Sequence, residues 1–399
     1  MSAVTAHSGS ARKSEGYWAR VFRVFRRNRS AMAGLGIVIL VGLTAVLAPF
    51  IAGDIPVWLR KDGRVYWFPN LITYRALTAE NLYANFDRWE PGPGDAVVWP
   101  LFRMGPLRQN LQERLEAPSA RHWFGTDDRG RDVFSRIVWG ARVSMSVGFI
   151  SVGIAVAIGT LLGALAGYYG RWVDVVILRL IEIWICVPSF FLVITVMAFL
   201  EPGIDKIMIV IGLTGWPSAA RLVRGEMLKQ RELDYATAAR ASGLPDWRVV
   251  FRHLLPNAVG PLFVMATFGV AGAILTESAL SFLGFGVPPP TASWGEILKQ
   301  SQYYVDFAWW LVLFPGLAVF ITVVGFNLVG DGLRDAMDPR LQGGDVSRKR
   351  VAGLFILQSE CLSGSEVGAD GAPRGERFDS DFQYRNAERS GSPGGIPVS

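Results

Sequence analysis

Long apolar runs alternate with short charged segments along this chain, and the lengths of the runs decide what they can be. Residues 31–52 are 22 positions without charge, residues 143–170 are 28, residues 257–276 are 20 and residues 307–330 are 24. A helix needs ~20 mostly apolar residues to cross a bilayer core, whereas a buried core strand is far shorter. Two weaker stretches complete the set. Residues 175–200 carry Arg179 and Glu182 near their start and run uncharged from Ile183. Residues 207–220 are only 14 uncharged positions, interrupted by Gly212, Gly215 and Pro217. The pattern predicts an all-α polytopic membrane protein with six transmembrane helices. The first of them reads as a retained anchor, because its apolar run is too long for a signal peptide and Pro49 follows the one small-residue site near its end.

Basic residues in short loops set the orientation. Residues 1–30 hold seven Lys/Arg against one acid, and residues 221–256 again hold seven, while the short loops on the opposite side hold one each, Lys206 and Lys299. Both termini are therefore expected inside the cell. The predicted division is a basic N-terminal segment (1–30), a first span (31–52), an outward insertion of roughly 90 residues (53–142), a core of five spans (143–341) and a tail (342–399). Within the insertion, Asp62-Gly63 beside an aromatic and β-branched run suggests a hairpin. Residues 21–29 alternate Val and Phe with Arg, a pattern compatible with lying along the inner leaflet or with simple charge anchoring. The first ~15 residues and the Gly- and Ser-rich tail are expected to be disordered.

Composition narrows the function. Charged residues are 19% of the chain, below the ~25% of soluble domains. The net charge of +6 matches the excess within residues 1–30 alone, so it reports topology and not nucleic-acid binding. Three His and two distant Cys leave no disulfide framework, no CxxC site and no catalytic centre of the His or Cys type. There is no Gly-Lys pair, hence no GxxxxGK[ST] phosphate loop and no ATP hydrolysis by this chain. The segment "GTDDRGRD" (125–132) has three Asp, but two are adjacent and two Arg intervene, which does not fit the alternate-oxygen pattern of a calcium loop. It reads as a capped start to an outer helix, and no metal site is assigned.

The loop "RELDYATAARASGLPDWRVVFRHLLPNAVGP" carries the most information. Asp234 is placed to cap a short helix, Gly243 to stop it in a left-handed conformation, and Pro245 to open a second helix that Pro256 ends. That second helix sets Trp247, Val250, Phe251 and Leu254 on one stripe. A glycine-bent pair of short helices suits a groove on a soluble partner or a lipid surface equally well.

The same residues resemble the EAA loop of binding-protein-dependent ABC-transporter permeases, whose pattern is Glu-Ala-Ala, three residues, Gly, nine residues, Ile-x-Leu-Pro. Ala238, Ala239, Gly243, Leu255 and Pro256 match at the right spacing; Thr237 replaces the Glu and His253 the Ile. The stretches "VFRRNRSAMAGLGIVIL", "HWFGTDDRGRDVFSRIVWGARVS", "ESALSFLGFGVPPPTASWGEIL" and "DGLRDAMDPRL" are similar to the peptide and nickel branch, in the subunit type with an N-terminal extension. The resemblance implies a type I ABC importer permease fold, and a location in the bacterial inner membrane. It also implies no cofactor of its own, and as partners a second permease subunit, two cytoplasmic ATPases that use ATP, and an external solute-binding protein. Ala238, Ala239, Gly243, Leu255 and Pro256 would then be the ATPase-docking residues.

Within the spans, charges default to function or to internal pairing. Glu277, Arg179 and Glu182 are candidates for a polar pathway or gate, with an Arg179–Glu182 pair at i, i+3 as the plainer alternative. Gly159, Gly163 and Gly167 form a ridge for close helix approach, within this subunit or against the other permease. The competing function is a proton-coupled secondary transporter using Glu277 or Glu182.

Overall fold

The computed structural model describes residues 17–86 and 88–338. The first residues and the tail assigned above to disorder lie outside that range.

Among the described residues, five helices are each long and apolar enough to cross a membrane: α2 (Arg29–Ile51), α5 (Val133–Tyr169), α8 (Ile204–Arg231), α12 (Gly260–Leu283) and α14 (Trp310–Met337). The sixth predicted span is broken. Where one continuous helix was expected over 175–200, the chain forms α6 (Arg171–Ile185) and α7 (Ser189–Phe199), bent by 78°. Pro188 explains the break, since it lacks an N–H and biases Val187 away from helical angles.

Glycine contacts give the direction of each helix. A Cβ on Gly159 would strike the Ala219 side chain, one on Gly163 would lie 2.5 Å from the Ala220 carbonyl oxygen and 2.9 Å from Val223, and one on Gly167 would lie 2.5 Å from Met227. Residue numbers rise together on both helices, so α5 and α8 run parallel. Parallel neighbours require the chain between them to return across the bilayer. The bent α6–α7 pair is therefore the remaining crossing. Gly269 against Val152 and Gly148 against Ile274 and Val270 make α12 antiparallel to α5, and Gly332 against Ala31 and Gly34 against Leu328 make α14 antiparallel to α2. Six crossings leave the start of α2, the loop after α8 and the end of α14 on one face.

On that face, α1 (Tyr17–Arg27) buries Val21 and Phe25, an i, i+4 pair, against Ala31 and Ala336. Asn28 separates it from α2, accepting a 3.3 Å hydrogen bond from the Ala31 amide as an N-cap.

The insertion occupies the opposite face and has its own small core of Leu59, Leu77, Leu82 and Phe86. Strands β1 (Trp58–Lys61), β2 (Arg64–Trp67) and β3 (Ala96–Val98) form an antiparallel sheet in the order β2-β1-β3. The Asp62-Gly63 hairpin is present, both residues having positive φ (49° and 74°) as a type I′ turn requires. Two short helices follow β2, α3 (Arg75–Ala79) and α4 (Leu82–Asn85), and between strand and spans the chain enters α5 through residues 125–132.

Candidate coupling loop and transport cavity

The loop after α8 begins later than the sequence suggested. Residues 221–231 continue α8 as helix, so only 232–259 leave the axis. Helix α9 (Asp234–Ala241) then forms, with Leu233 as its N-cap and not Asp234, whose side chain makes no capping bond and sits in the first turn, favourable to the helix dipole. The helix ends at Ser242, and Gly243 follows with φ +74° and open space around the position of a Cβ. This is the left-handed stop that glycine accommodates without a steric penalty.

The second helix departs from expectation at its end. It starts at α10 (Asp246–Arg248), widens into a π-helical stretch at Val249–Leu254 and continues as α11 (Leu255–Ala258), passing through Pro256. The wider turn explains why the proline does not terminate it: a π-turn relieves the ring's clash with the carbonyl four residues back. The extra residue also splits the predicted stripe. Val249, Val250, Leu254 and Ala258 bury against Ala236, Val223 and Met227, while Trp247 and Phe251 are exposed. With Ala238, Ala241 and Gly243 also exposed, the bend presents small residues flanked by two aromatic rings. Pro256 is exposed as well, and Ala239 and Leu255 are half-buried.

Side-chain bonds fasten the bend to the spans. The Tyr168 hydroxyl, on the last turn of α5, lies 2.6 Å from Asp246 Oδ1. Arg231 donates to the Gly167 carbonyl at 3.0 Å, and Arg240 donates to the Arg231 carbonyl at 2.9 Å. Higher on α8, Arg224 makes a two-pronged ion pair with Asp174 at the start of α6, the Nη2–Oδ2 arm being 2.6 Å. Such fork geometry is specific to arginine.

Between α5, α8, α12 and the break in α6–α7 lies a cavity of about 690 Å³. Val187, Pro188 and Ser189 line it, so the helix break opens it. Its wall mixes rings (Trp184, Phe190, Phe268) with hydroxyls (Ser151, Thr214, Thr276) and one cation, Arg221. Thr214 and Arg221 belong to α8, the same helix whose end carries the bend.

Residues 159–343 match the family described as binding-protein-dependent transport system inner membrane component. Residues 16–58 match the N-terminal TM domain of oligopeptide transport permease C. The chain is 47% identical over 248 residues to the dipeptide transport system permease protein DppC of Alkalihalophilus pseudofirmus, covering 62% of this chain and 82% of that one. It is 42% identical over 227 residues to the glutathione transport system permease protein GsiD of Pectobacterium atrosepticum, covering 57% and 75%. With the oligopeptide transport system permease protein OppC of Bacillus subtilis it shares 34% identity over 341 residues, 84% of this chain and 95% of that one. The chain belongs to the binding-protein-dependent transport permeases.

As a permease of this family it is the non-catalytic, multi-pass membrane subunit of an ABC importer, and ATP is hydrolysed by partner subunits. The proton-coupled alternative gives way to this assignment. Its two candidate carboxylates are placed differently. Glu182 pairs with Arg179 at 2.6 Å on an exposed face of α6. Glu277 is fully buried in the permease, held by Ser281 at 2.8 Å, Ser144 at 3.3 Å and Ser278 at 3.5 Å. Neither carboxylate nor Arg179 lines the cavity, although Thr276 next to Glu277 does.

The permease also contains a buried ionic cluster on the insertion side that the sequence did not suggest. Asp127 accepts from the Arg129 and Arg131 amides, pairs with Arg131 Nε at 2.7 Å and lies 3.3 Å from Arg136 Nη1. Arg136 in turn contacts Glu296 on α13 (Trp294–Ser301). Asp132 caps α5 by accepting from the Ser135 amide at 2.8 Å, and is 2.9 Å from His122 Nδ1. Burial pushes the Asp132 carboxyl up from its ordinary value, against those two hydrogen bonds, which pull it down. Asp127 and Asp132 of "GTDDRGRD" thus serve an arginine clamp and the cap that opens α5; the capped helix start was legible in the sequence, the partner Glu296 was not.

Proposed function

We propose that this permease carries short peptides inward, forming half of the pathway with a second permease subunit, and is driven by two cytoplasmic ATPases docked on the bend at Gly243. In this reading the face bearing α1, the bend and the end of α14 is cytoplasmic, the insertion faces outward toward the solute-binding protein, and both termini are inside a bacterial inner membrane. The observation that carries it is the continuity of α8. One continuous helix of 28 residues, with Pro217 inside it, runs from the cavity wall at Thr214 and Arg221 to the bend fastened at Arg231 and Tyr168. Closure of the ATPases against Ala238, Ala239, Gly243, Leu255 and Pro256 would move the cavity wall through it.

The peptide assignment draws on the relatives, named for dipeptide, glutathione and oligopeptide transport. A cavity with rings for side chains, and with the Thr214 and Thr276 hydroxyl oxygens to accept from peptide N–H groups, suits such solutes without strong selectivity. Uptake of labelled dialanine into proteoliposomes holding the whole complex tests this. Uptake should require ATP and the binding protein and resist a protonophore. Uptake that survives ATP depletion and collapses with the protonophore contradicts it.

A further inference from the structure

Among the exposed apolar side chains of the insertion, one group gathers beside the end of α2. Leu101 is 83% exposed, Trp67 60%, Leu71 56%, Ile72 50% and Phe68 41%. Backbone and ring contacts tie most of this edge to the end of α2. The Leu101 amide donates to the Phe50 carbonyl at 3.0 Å, Asn70 Nδ2 donates to the Pro49 carbonyl at 3.0 Å, and the Phe68 ring meets Phe50 edge-on at 6.0 Å.

The height follows from α2. Its uncharged run starts at Ala31, so Phe50 lies about 28 Å further along the helix at ~1.5 Å per residue. A hydrocarbon core is ~30 Å thick, which sets Phe50 at its far boundary. Exposed apolar side chains of α2 lead up to the edge, with Leu43, Val46 and Leu47 stacked below Phe50 at helical spacing and Leu40 below them.

A second observation points the same way. The last carbonyls of a helix have no partner within it and normally turn to water. Here each is taken by a donor from outside the helix: Pro49 by Asn70, Phe50 by the Leu101 amide and Ile51 by the Phe102 amide at 2.8 Å. The next carbonyl, Ala52, accepts from Trp139 Nε1 at 2.7 Å. Protein donors in every position are what a helix end in a water-poor layer requires.

We propose that the edge formed by Trp67, Phe68, Leu71, Ile72 and Leu101 inserts into the lipid interface on the insertion side, seating the lobe in the membrane. Aromatic and aliphatic side chains at headgroup level are the composition that this layer favours. The lobe's sheet and helices then stand on lipid as well as on α2, which fixes its attitude toward anything arriving from outside.

The test uses single nitroxide labels at Leu71→Cys and Leu101→Cys, in a background of Cys186→Ser and Cys361→Ser. The full chain is studied in its complex, in vesicles of phosphatidylethanolamine and phosphatidylglycerol. Both positions are exposed, so the labels displace no packing, and a label at Leu40→Cys marks the hydrocarbon. Collision with oxygen should exceed collision with a nickel chelate at both sites, shifting the depth value from that of a label in buffer toward that of Leu40. Equal access to the nickel chelate as in buffer overturns the proposal. Low collision with both reagents also overturns it, by showing that a protein partner covers the edge.

Discussion

At the scale of single residues, the glycine ridge of α5 shows how spacing becomes packing. Gly159, Gly163 and Gly167 recur every fourth position, and that interval was legible because it places them on one helix face. The facing helix was not legible, since any small or apolar surface could meet such a ridge. The structure brings α8 there, within this subunit. Gly163→Leu should therefore lower stability by about 1–3 kcal/mol, the usual cost of overpacking. Gly225, also helical but with nothing within 4 Å of a Cβ, supplies the contrast. Gly225→Ala should leave stability unchanged or raise it by ~0.5–1 kcal/mol through helix propensity. Denaturation midpoints of the detergent-solubilised protein decide the matter, and equal midpoints for the two variants would reject the ridge assignment. Glu277 teaches a related lesson. Its charge within an apolar run was visible, but the cage of serines from two helices depends on long-range packing that no local window contains.

At the scale of elements, the errors of the sequence reading all fall on prolines and boundaries. Pro188 broke a span that hydropathy alone joined, and Pro256 failed to end a helix that local rules closed. The difference lies in what surrounds each: a π-turn accommodates Pro256, whose ring stays exposed beside a buried cluster, whereas the break at Pro188 borders a cavity. The glycine stop at Gly243 was legible because a left-handed residue depends on local geometry alone. The fastening of the bend was not, because Tyr168 and Asp246 are 78 positions apart. Tyr168→Phe removes that fastening and little else, the hydroxyl being its polar contact with the bend. Peptide uptake should fall several-fold while the amount of complex recovered with its ATPases stays at the wild-type level. Unchanged uptake would show that the bond does not serve coupling.

At the scale of the whole molecule, six crossings were foreseen from run lengths, and the parallel pairing of α5 with α8 now explains how a bent, proline-broken segment still counts as one of them. The same pairing gives the molecule a continuous rod from cavity to bend, and the insertion a platform on the opposite face. Coupling by that rod is the central claim, and Gly243→Asp addresses it most directly. Gly243 has φ +74° and is exposed, so the variant adds a carboxylate to the proposed docking surface at a backbone cost of ~1–2 kcal/mol. The measurement is ATP hydrolysis, with and without peptide-loaded binding protein, beside dialanine uptake in the same proteoliposomes. The variant should reach the membrane at the wild-type level, lose uptake, and lose stimulation of hydrolysis by the loaded binding protein. Wild-type uptake together with wild-type stimulation would contradict the account.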